Sequence, residues 1–316
     1  MMADNAQVAR MHCDIMVAGG SLEGCAAALT AAKSGKQVIL TEKQGSLGGM
    51  ASNGLAGWME PTADQAAAQL RGELLRRLGC TDAAAGALYP DQKLKVVLGG
   101  LLRDAGVVWL DHVFLSQPVL ESGTLRGFSV IGKTGAIQIL CSHVIDATDT
   151  LETAGMLGLQ FTAVQGRVSV AVKMNGFNRK AVRAVEKPAG GIAGTLRAPL
   201  AMALGGRNVS CGELRVLLRD HTEEALVSGL YCELPSFDPL SLSAAQGALR
   251  QFAYALRDHL RQNAAGMEAL NIIHVAPRLN AYGLRQCENP IANLTLLNND
   301  GEVYSNARAL EKGVRA

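Results

Sequence analysis

The sequence predicts an α/β protein: a parallel central sheet, a β-meander joined to it, and a smaller α+β domain. Three observations carry this. Between residues 14 and 41 an apolar run, a glycine-rich loop, an alanine-rich helical stretch and a second apolar run follow one another, the order of one βαβ unit. Glycine is frequent, 35 of 316 residues, and aromatic residues make up only 4%, a bias that suits many tight strand-to-helix turns and close backbone approach. Beyond residue 157 strand and helix signals no longer alternate, which marks a differently built unit.

The remaining composition narrows the function. A hydrophobic fraction of 48% is ample for a buried core, and Lys plus Arg at 30 against Asp plus Glu at 28 leaves a formal charge of +2. No stretch gathers the basic residues of an electrostatic nucleic-acid footprint, so nucleic acid is not an expected partner. The first hydrophobic stretch is broken by glycines, Glu23 and Lys33, and residues 1–13 hold no apolar run of signal-peptide length. A cytoplasmic protein with no membrane partner is expected. The 7 cysteines are scattered and never form a C-x-x-C pair, and the histidines lack metal-ligand spacing. Reduced thiols and no metal follow.

The elements are expected in this order. Residues 14–18 form a buried strand, 19–24 the loop, 25–34 a helix stopped by Gly35, and 36–41 a second strand. Ala66, Leu70, Leu74, Leu75 and Leu78 recur at helical spacing before Gly79, and a further helix covers residues 91–103 up to Gly106. Strands at 107–115, 125–132 and 137–147, with turns at Gly123 and Gly135, read as a meander that returns to the main sheet at Val144-Ile145-Asp146-Ala147. Within 157–285 a long amphipathic helix at 242–262 stands out. Residues 293–297 are strand-like and 306–314 helical, as if one more βα unit rejoined the first sheet.

The loop reads Gly19-Gly20-Ser21-Leu22-Glu23-Gly24, a G-x-G-x-x-G pattern with Ser21 at the second glycine position. It follows a strand, opens a helix, and is followed by Glu42 at the end of the next strand. Gly19 permits the tight turn and Gly24 a close helix–strand approach, while free N–H groups at the helix N-terminus suit a pyrophosphate. Glu42 is placed to accept hydrogen bonds from the hydroxyls of an adenosine ribose. Cys25, at the first helical turn, is expected to be buried against the sheet.

These residues resemble the FAD-dependent oxidoreductases of the glutathione-reductase-like type. The resemblance rests on residues 14–58, above all Glu42-Lys43 followed by Leu47-Gly48-Gly49-Met50-Ala51, and on Val144-Ile145-Asp146-Ala147-Thr148, similar to the family's strand ending in A-T-G. It spans about half the chain. It implies a split FAD-binding Rossmann-type domain (residues 1–156 and 286–316) interrupted by a substrate or cap domain at 157–285. It further implies that Gly48, Gly49 and Met50 pass close to the flavin-side phosphate, that Phe114 and Leu115 touch the adenine, and that Ala147, Thr148 and Asp149 meet the cofactor again. Asp149 stands where the family has glycine. The family's last motif would fall on Asn299 and Asp300.

A bound flavin needs few protein groups for chemistry. Following the resemblance, Asn53 would hydrogen-bond the isoalloxazine ring and Trp58 would form a wall. His274, Arg278, Tyr282 and Arg285 lie where related chains return toward the flavin, an Arg to clamp a substrate carboxylate, a His or Tyr to move a proton. The leading expectation is an FAD-dependent oxidoreductase transferring hydride between a small organic molecule and flavin. A non-catalytic FAD- or ADP-binding subunit of a heteromeric oxidoreductase complex is the alternative, and a homo- or hetero-oligomeric partner that completes the flavin site is the expected protein partner. A nicotinamide-dependent dehydrogenase would leave Gly48-Gly49 and the Ala147-Thr148 strand unexplained.

Overall fold

The computed structural model describes residues 8–62, 65–81, 87–159, 166–178, 187–189, 193–218, 224–282, 293–297 and 303–304. The chain opens with β1 (Ala9–His12) and β2 (Ile15–Ala18), then α1 (Leu22–Lys33) and β3 (Val38–Glu42). These last three form the βαβ unit that the apolar runs predict. α1 starts at Ser21, whose Oγ accepts the Gly24 N–H at 3.2 Å. That is the capping chemistry expected of serine at this position. After α1, Gly35 takes a φ of 78° and turns the chain back to the sheet.

A short helix α2 (Gly49–Ser52) and strand β4 (Trp58–Met59) precede α3 (Gln65–Leu78), β5 (Ala87–Leu88) and α4 (Asp91–Asp104). β6 (Val108–Asp111), β7 (Phe114–Glu121), β8 (Thr124–Gly132), β9 (Gly135–Leu140), β10 (His143–Asp146) and α5 (Glu152–Met156) follow. Two apolar runs that read as single strands are each divided between two sheets. The run at 107–115 bends at His112, with a φ of 58°, so that β6 pairs in parallel with β3 while β7 begins the meander. The run at 137–147 is divided at Cys141–Ser142, β9 pairing in the meander and β10 in parallel beside β2. Hydrophobicity is continuous across both breaks, so periodicity alone does not reveal the change of sheet. β1, in a segment where no element is expected, joins the meander by parallel pairing with β9.

The rest of the chain supplies β11 (Gly166–Asn175), β12 (Lys187–Ala189), β13 (Ala193–Leu204), β14 (Arg207–Leu218), β15 (Ala225–Leu234), α6 (Pro239–Asn263), β16 (Asn271–Val275), β17 (Asn280–Tyr282), β18 (Leu294–Leu297) and β19 (Val303–Tyr304). The central sheet has the order β19-β18-β10-β2-β3-β6, parallel except at β19. β18 lies in parallel beside β10, as the strand signal at 293–297 leads one to expect. The expected helix at 306–314 lies outside the described residues. In the middle, Met16, Val17, Ala18 and Leu40 are fully buried. Strands covered on both faces read as unbroken apolar runs, which is why these are legible in the sequence.

The second layer is an antiparallel sheet in the order β12-β13-β14-β15-β11-β16, with β17 also paired to β11. One face is covered by α6 through Ala245, Leu249, Phe252 and Leu256. Asp238 caps that helix, its Oδ1 accepting the N–H groups of Leu240 and Ser241 at 2.9 and 3.0 Å. Hydrogen bonds from Ser236 and from Ser241 hold the Asp238 carboxyl below the usual carboxylate range. The stabilisation is therefore present above the ordinary Asp pKa and is lost as pH falls through the depressed value. Asp238→Ala should lower the thermal midpoint at neutral pH and lessen its dependence on acid, as a melting series against pH would read.

The two layers are joined through α4 and the loop after α2. Lys173 Nζ on β11 donates to both oxygens of Asp91, at 3.0 and 3.3 Å, at the first turn of α4. Leu55, at the end of the double-glycine segment, belongs to the core of the antiparallel sheet. Among the described residues no helix is long and apolar enough to cross a membrane, no group of residues could hold a metal ion, and the six described cysteines are free thiols.

Candidate functional site

The carboxyl ends of β2, β3 and β10 converge on one cleft, the general location of ligand sites in open parallel sheets. The turn after β2 supplies Gly19, with a φ of 100°. A Cβ there would lie 2.5 Å from the Ala147 carbonyl oxygen, and a Cβ on Gly24 would lie 2.0 Å from the Gly19 carbonyl oxygen. Strand, turn and helix therefore approach so closely that only hydrogen fits at both positions. Ser21 keeps an extended backbone, φ −64° and ψ 176°, so its side chain strains nothing. Its Oγ caps the helix, a use for the departure from glycine at this position.

Glu42 ends β3 and is 3% exposed. Its Oε2 accepts the Gly20 N–H at 2.7 Å and its Oε1 accepts the Gln44 N–H at 2.8 Å. Each oxygen retains a lone-pair direction, and the residue lines the cleft. Beside it, Lys43 Nζ meets Glu152 Oε1 at 2.5 Å. Gly48 N–H donates to the Gly20 carbonyl at 2.7 Å, which fastens the double-glycine segment to the first turn. Gly48 and Gly49 both take positive φ, 99° and 50°. Met50 lies on α2, against Gly54.

The third wall is Ala147-Thr148-Asp149, held by a group that motif reading passes over. Asp146 is fully buried, and it accepts from Thr148 N–H at 2.9 Å, Thr148 Oγ1 at 2.5 Å, Thr153 N–H at 2.9 Å and Thr153 Oγ1 at 2.5 Å. Burial pushes its carboxyl up, and the four donors pull against that. The only trace in the sequence is an Asp ending an apolar strand with three threonines, Thr148, Thr150 and Thr153, shortly after. Leu151 completes this turn in the left-handed region, with a φ of 52°.

Arg278, from the loop between β16 and β17, reaches across to Asp149 and pairs with it through Nη2. It lines the cleft, as does Leu115. Phe114 is mostly exposed, and Leu22 and Glu23 form the first turn of α1, where burial pushes the Glu23 carboxyl up. Cys25 is fully buried and its thiol is pushed up by burial, as its place against the sheet leads one to expect.

The expected catalytic group is less gathered. Asn53 is buried at the end of α2, its Oδ1 accepting from Ser46 Oγ at 3.0 Å. Trp58 packs against the core of the antiparallel sheet, with the Arg215 guanidinium 5.5 Å from its ring centroid. His274 is exposed on β16, opposite Lys173 in the pairing with β11, and does not line the cleft. Tyr282 ends β17, pairing with Arg167. Arg285, Asn299 and Asp300 lie outside the described residues.

A family model described as FAD dependent oxidoreductase matches residues 14–301. No curated protein matches the chain. Among solved structures, a geranylgeranyl bacteriochlorophyll reductase-like protein from Thermoplasma acidophilum is similar with a TM-score of 0.62 at 15% identity, over 91% of this chain and 71% of that one. A p-nitrophenol 4-monooxygenase from Pseudomonas putida is similar with a TM-score of 0.61 at 14% identity, over 94% and 74%. The myxobacterial chondrochloren halogenase, described as a variant of FAD-dependent halogenases, gives 0.57 at 11%, over 94% and 70%. At these identities the likeness is one of fold, and the three proteins are named for different chemistries.

Proposed function

Because the chain belongs to the FAD-dependent oxidoreductases, we propose that it transfers hydride between a small organic substrate and FAD, with residues 1–156 and 286–316 as the FAD-binding domain and 157–285 as the substrate domain. Bound FAD supplies the two-electron chemistry, and the protein supplies binding, orientation and exclusion of water. The cleft fits that group on two counts. Side chains at Gly19 and Gly24 would collide with backbone, so the turn stays free of side chains at both, and Arg278 brings buried guanidinium donors to the same place.

The observation that carries the reading is Glu42. A carboxylate at the end of the second parallel strand, pinned by Gly20 and Gln44 and open to the cleft, is oriented to receive two adjacent ribose hydroxyls. The turn of Gly19–Ser21 and the N-terminus of α1 would face the pyrophosphate, and Gly48–Gly49 would let the chain pass along the flavin side. Asn53 and Trp58 would stand at the ring end of that path. A small molecule reacting there would meet the antiparallel sheet, against which Leu55 and Trp58 already pack.

The test is the visible spectrum of the purified protein, followed by acid release and chromatography of the bound group. A yellow protein that releases FAD and is bleached by an organic substrate supports the reading; a colourless protein that takes up no FAD rejects it. Glu42→Ala should weaken FAD binding about 10- to 100-fold, the effect of losing charge-assisted hydrogen bonds. Fluorescence titration of the stripped protein measures it, and unchanged affinity would remove Glu42 from the site.

A further inference from the structure

Arg278 has features that packing alone does not explain. Its side chain is 8% exposed, and its Nε and Nη1 have no hydrogen-bond partner among the described residues. Buried polar atoms without partners are costly, and most such groups in folded proteins are satisfied. The third guanidinium nitrogen, Nη2, is held by Asp149. The side chain is therefore fixed at one corner with two donors left over.

Those donors are close to the phosphate-binding turn. A Cβ on Gly49 would lie 3.1 Å from Arg278 Nη1 and 3.1 Å from Ser21 Cα, so guanidinium, double glycine and helix cap meet around one point at the N-terminus of the 12-residue α1. The charges here call for a cation. Glu42, Asp149 and Glu152 line the cleft, with Glu23 beside it on α1, while Lys43 is engaged by Glu152. A pyrophosphate brought into this cleft would meet carboxylates on several sides. Arg278 is the buried cation among the described lining residues, and two of its nitrogens have no partner among them.

We infer that Arg278 is the anchor of the cofactor pyrophosphate, supplied from the loop between β16 and β17, and that Asp149 is the residue that positions it. This rests on the FAD reading above. Nη1 donates to a phosphate oxygen at the Ser21 turn, as a charge-assisted hydrogen bond, and Nε, on another edge of the guanidinium, remains as a second donor. Asp149 fixes the plane of the guanidinium, and the same ion pair cancels the charge that this carboxylate would otherwise turn toward the phosphate. The acid at the position where the resembling family has glycine thereby acquires a use. The antiparallel sheet, through Arg278, takes part in holding the cofactor.

The experiment compares wild type, Arg278→Gln and the double variant Arg278→Gln with Asp149→Asn, all stripped of flavin, in titrations with FAD, ADP and adenosine. The double variant removes both charges together, so no buried carboxylate is left without its cation, and its thermal midpoint should stay near that of wild type. Both variants should bind FAD and ADP about 10- to 100-fold more weakly and adenosine, which carries no phosphate, as wild type does. FAD and ADP affinities within twofold of wild type in the folded double variant would overturn the anchor role while leaving FAD binding intact. Equal weakening toward adenosine would overturn it as well, by showing a general loss of the site. A wild-type protein that binds neither FAD nor ADP would instead remove the FAD reading on which the inference stands.

Discussion

Asp146→Ala is expected to destabilise the protein by about 4 kcal/mol and to abolish retention of FAD, because it leaves two buried N–H groups and two buried hydroxyls without an acceptor. The hydroxyls can rotate toward other acceptors, whereas the amides of Thr148 and Thr153 cannot. Asp146→Asn separates the contributions. One side of an amide still accepts, but its NH2 group faces donors on the other, so about 2 kcal/mol is expected. Urea midpoints at constant slope measure both. The wild-type carboxyl carries a raised pKa in the fold, so its contribution is full below the ordinary Asp range and declines as pH rises through the raised value. Both variants should lack that decline. An alanine variant within about 1 kcal/mol of wild type would show that the Asp146 network does not hold the Ala147–Asp149 turn.

Gly24→Val should be the most damaging change in the first loop. Its Cβ would lie 2.0 Å from the Gly19 carbonyl oxygen and 3.1 Å from the Ala147 Cβ, and the first of these neighbours is backbone that cannot rotate away. Helix α1 would have to lift from the sheet, which costs about 3 kcal/mol or more and moves the amides that face the cleft. The expected result is a colourless, destabilised or insoluble protein. Gly72→Ala is the control, since a Cβ on that exposed position of α3 meets nothing within 4 Å. It should stabilise by about 0.5–1 kcal/mol through helix propensity and leave the flavin in place. A yellow, stable Gly24→Val protein would mean that the turn tolerates a wider strand–helix gap than its geometry indicates.

The parts of the site closest together in sequence were the easiest to read. The strand at 15–18, the loop that opens a helix, and Glu42 at the end of β3 stand where the residues lead one to expect, while α1 begins at Leu22, three residues before its expected start, with Ser21 as its cap. Their determinants are local: apolar runs for buried strands, small residues where the backbone turns, an oxygen-bearing side chain to cap a helix. Asp146 was legible only as part of an A-T motif, and its binding of Thr153 becomes evident only with α5 in place. His274 lies in a stretch whose chemistry suits a site, but it is exposed on β16 and does not line the cleft.

By itself the sequence determined an α/β chain with a βαβ unit, a glycine turn that opens a helix and a carboxylate at the second strand end, because each of these depends on neighbours a few residues away. Only the tertiary structure decided which apolar run belongs to which sheet, that β1 pairs with β9, and that Arg278 meets Asp149 across 129 residues of chain. Pairings of that range are set by which strand edges and buried charges meet once the layers have packed. Neither the period of a hydrophobic run nor the spacing of a motif carries that information.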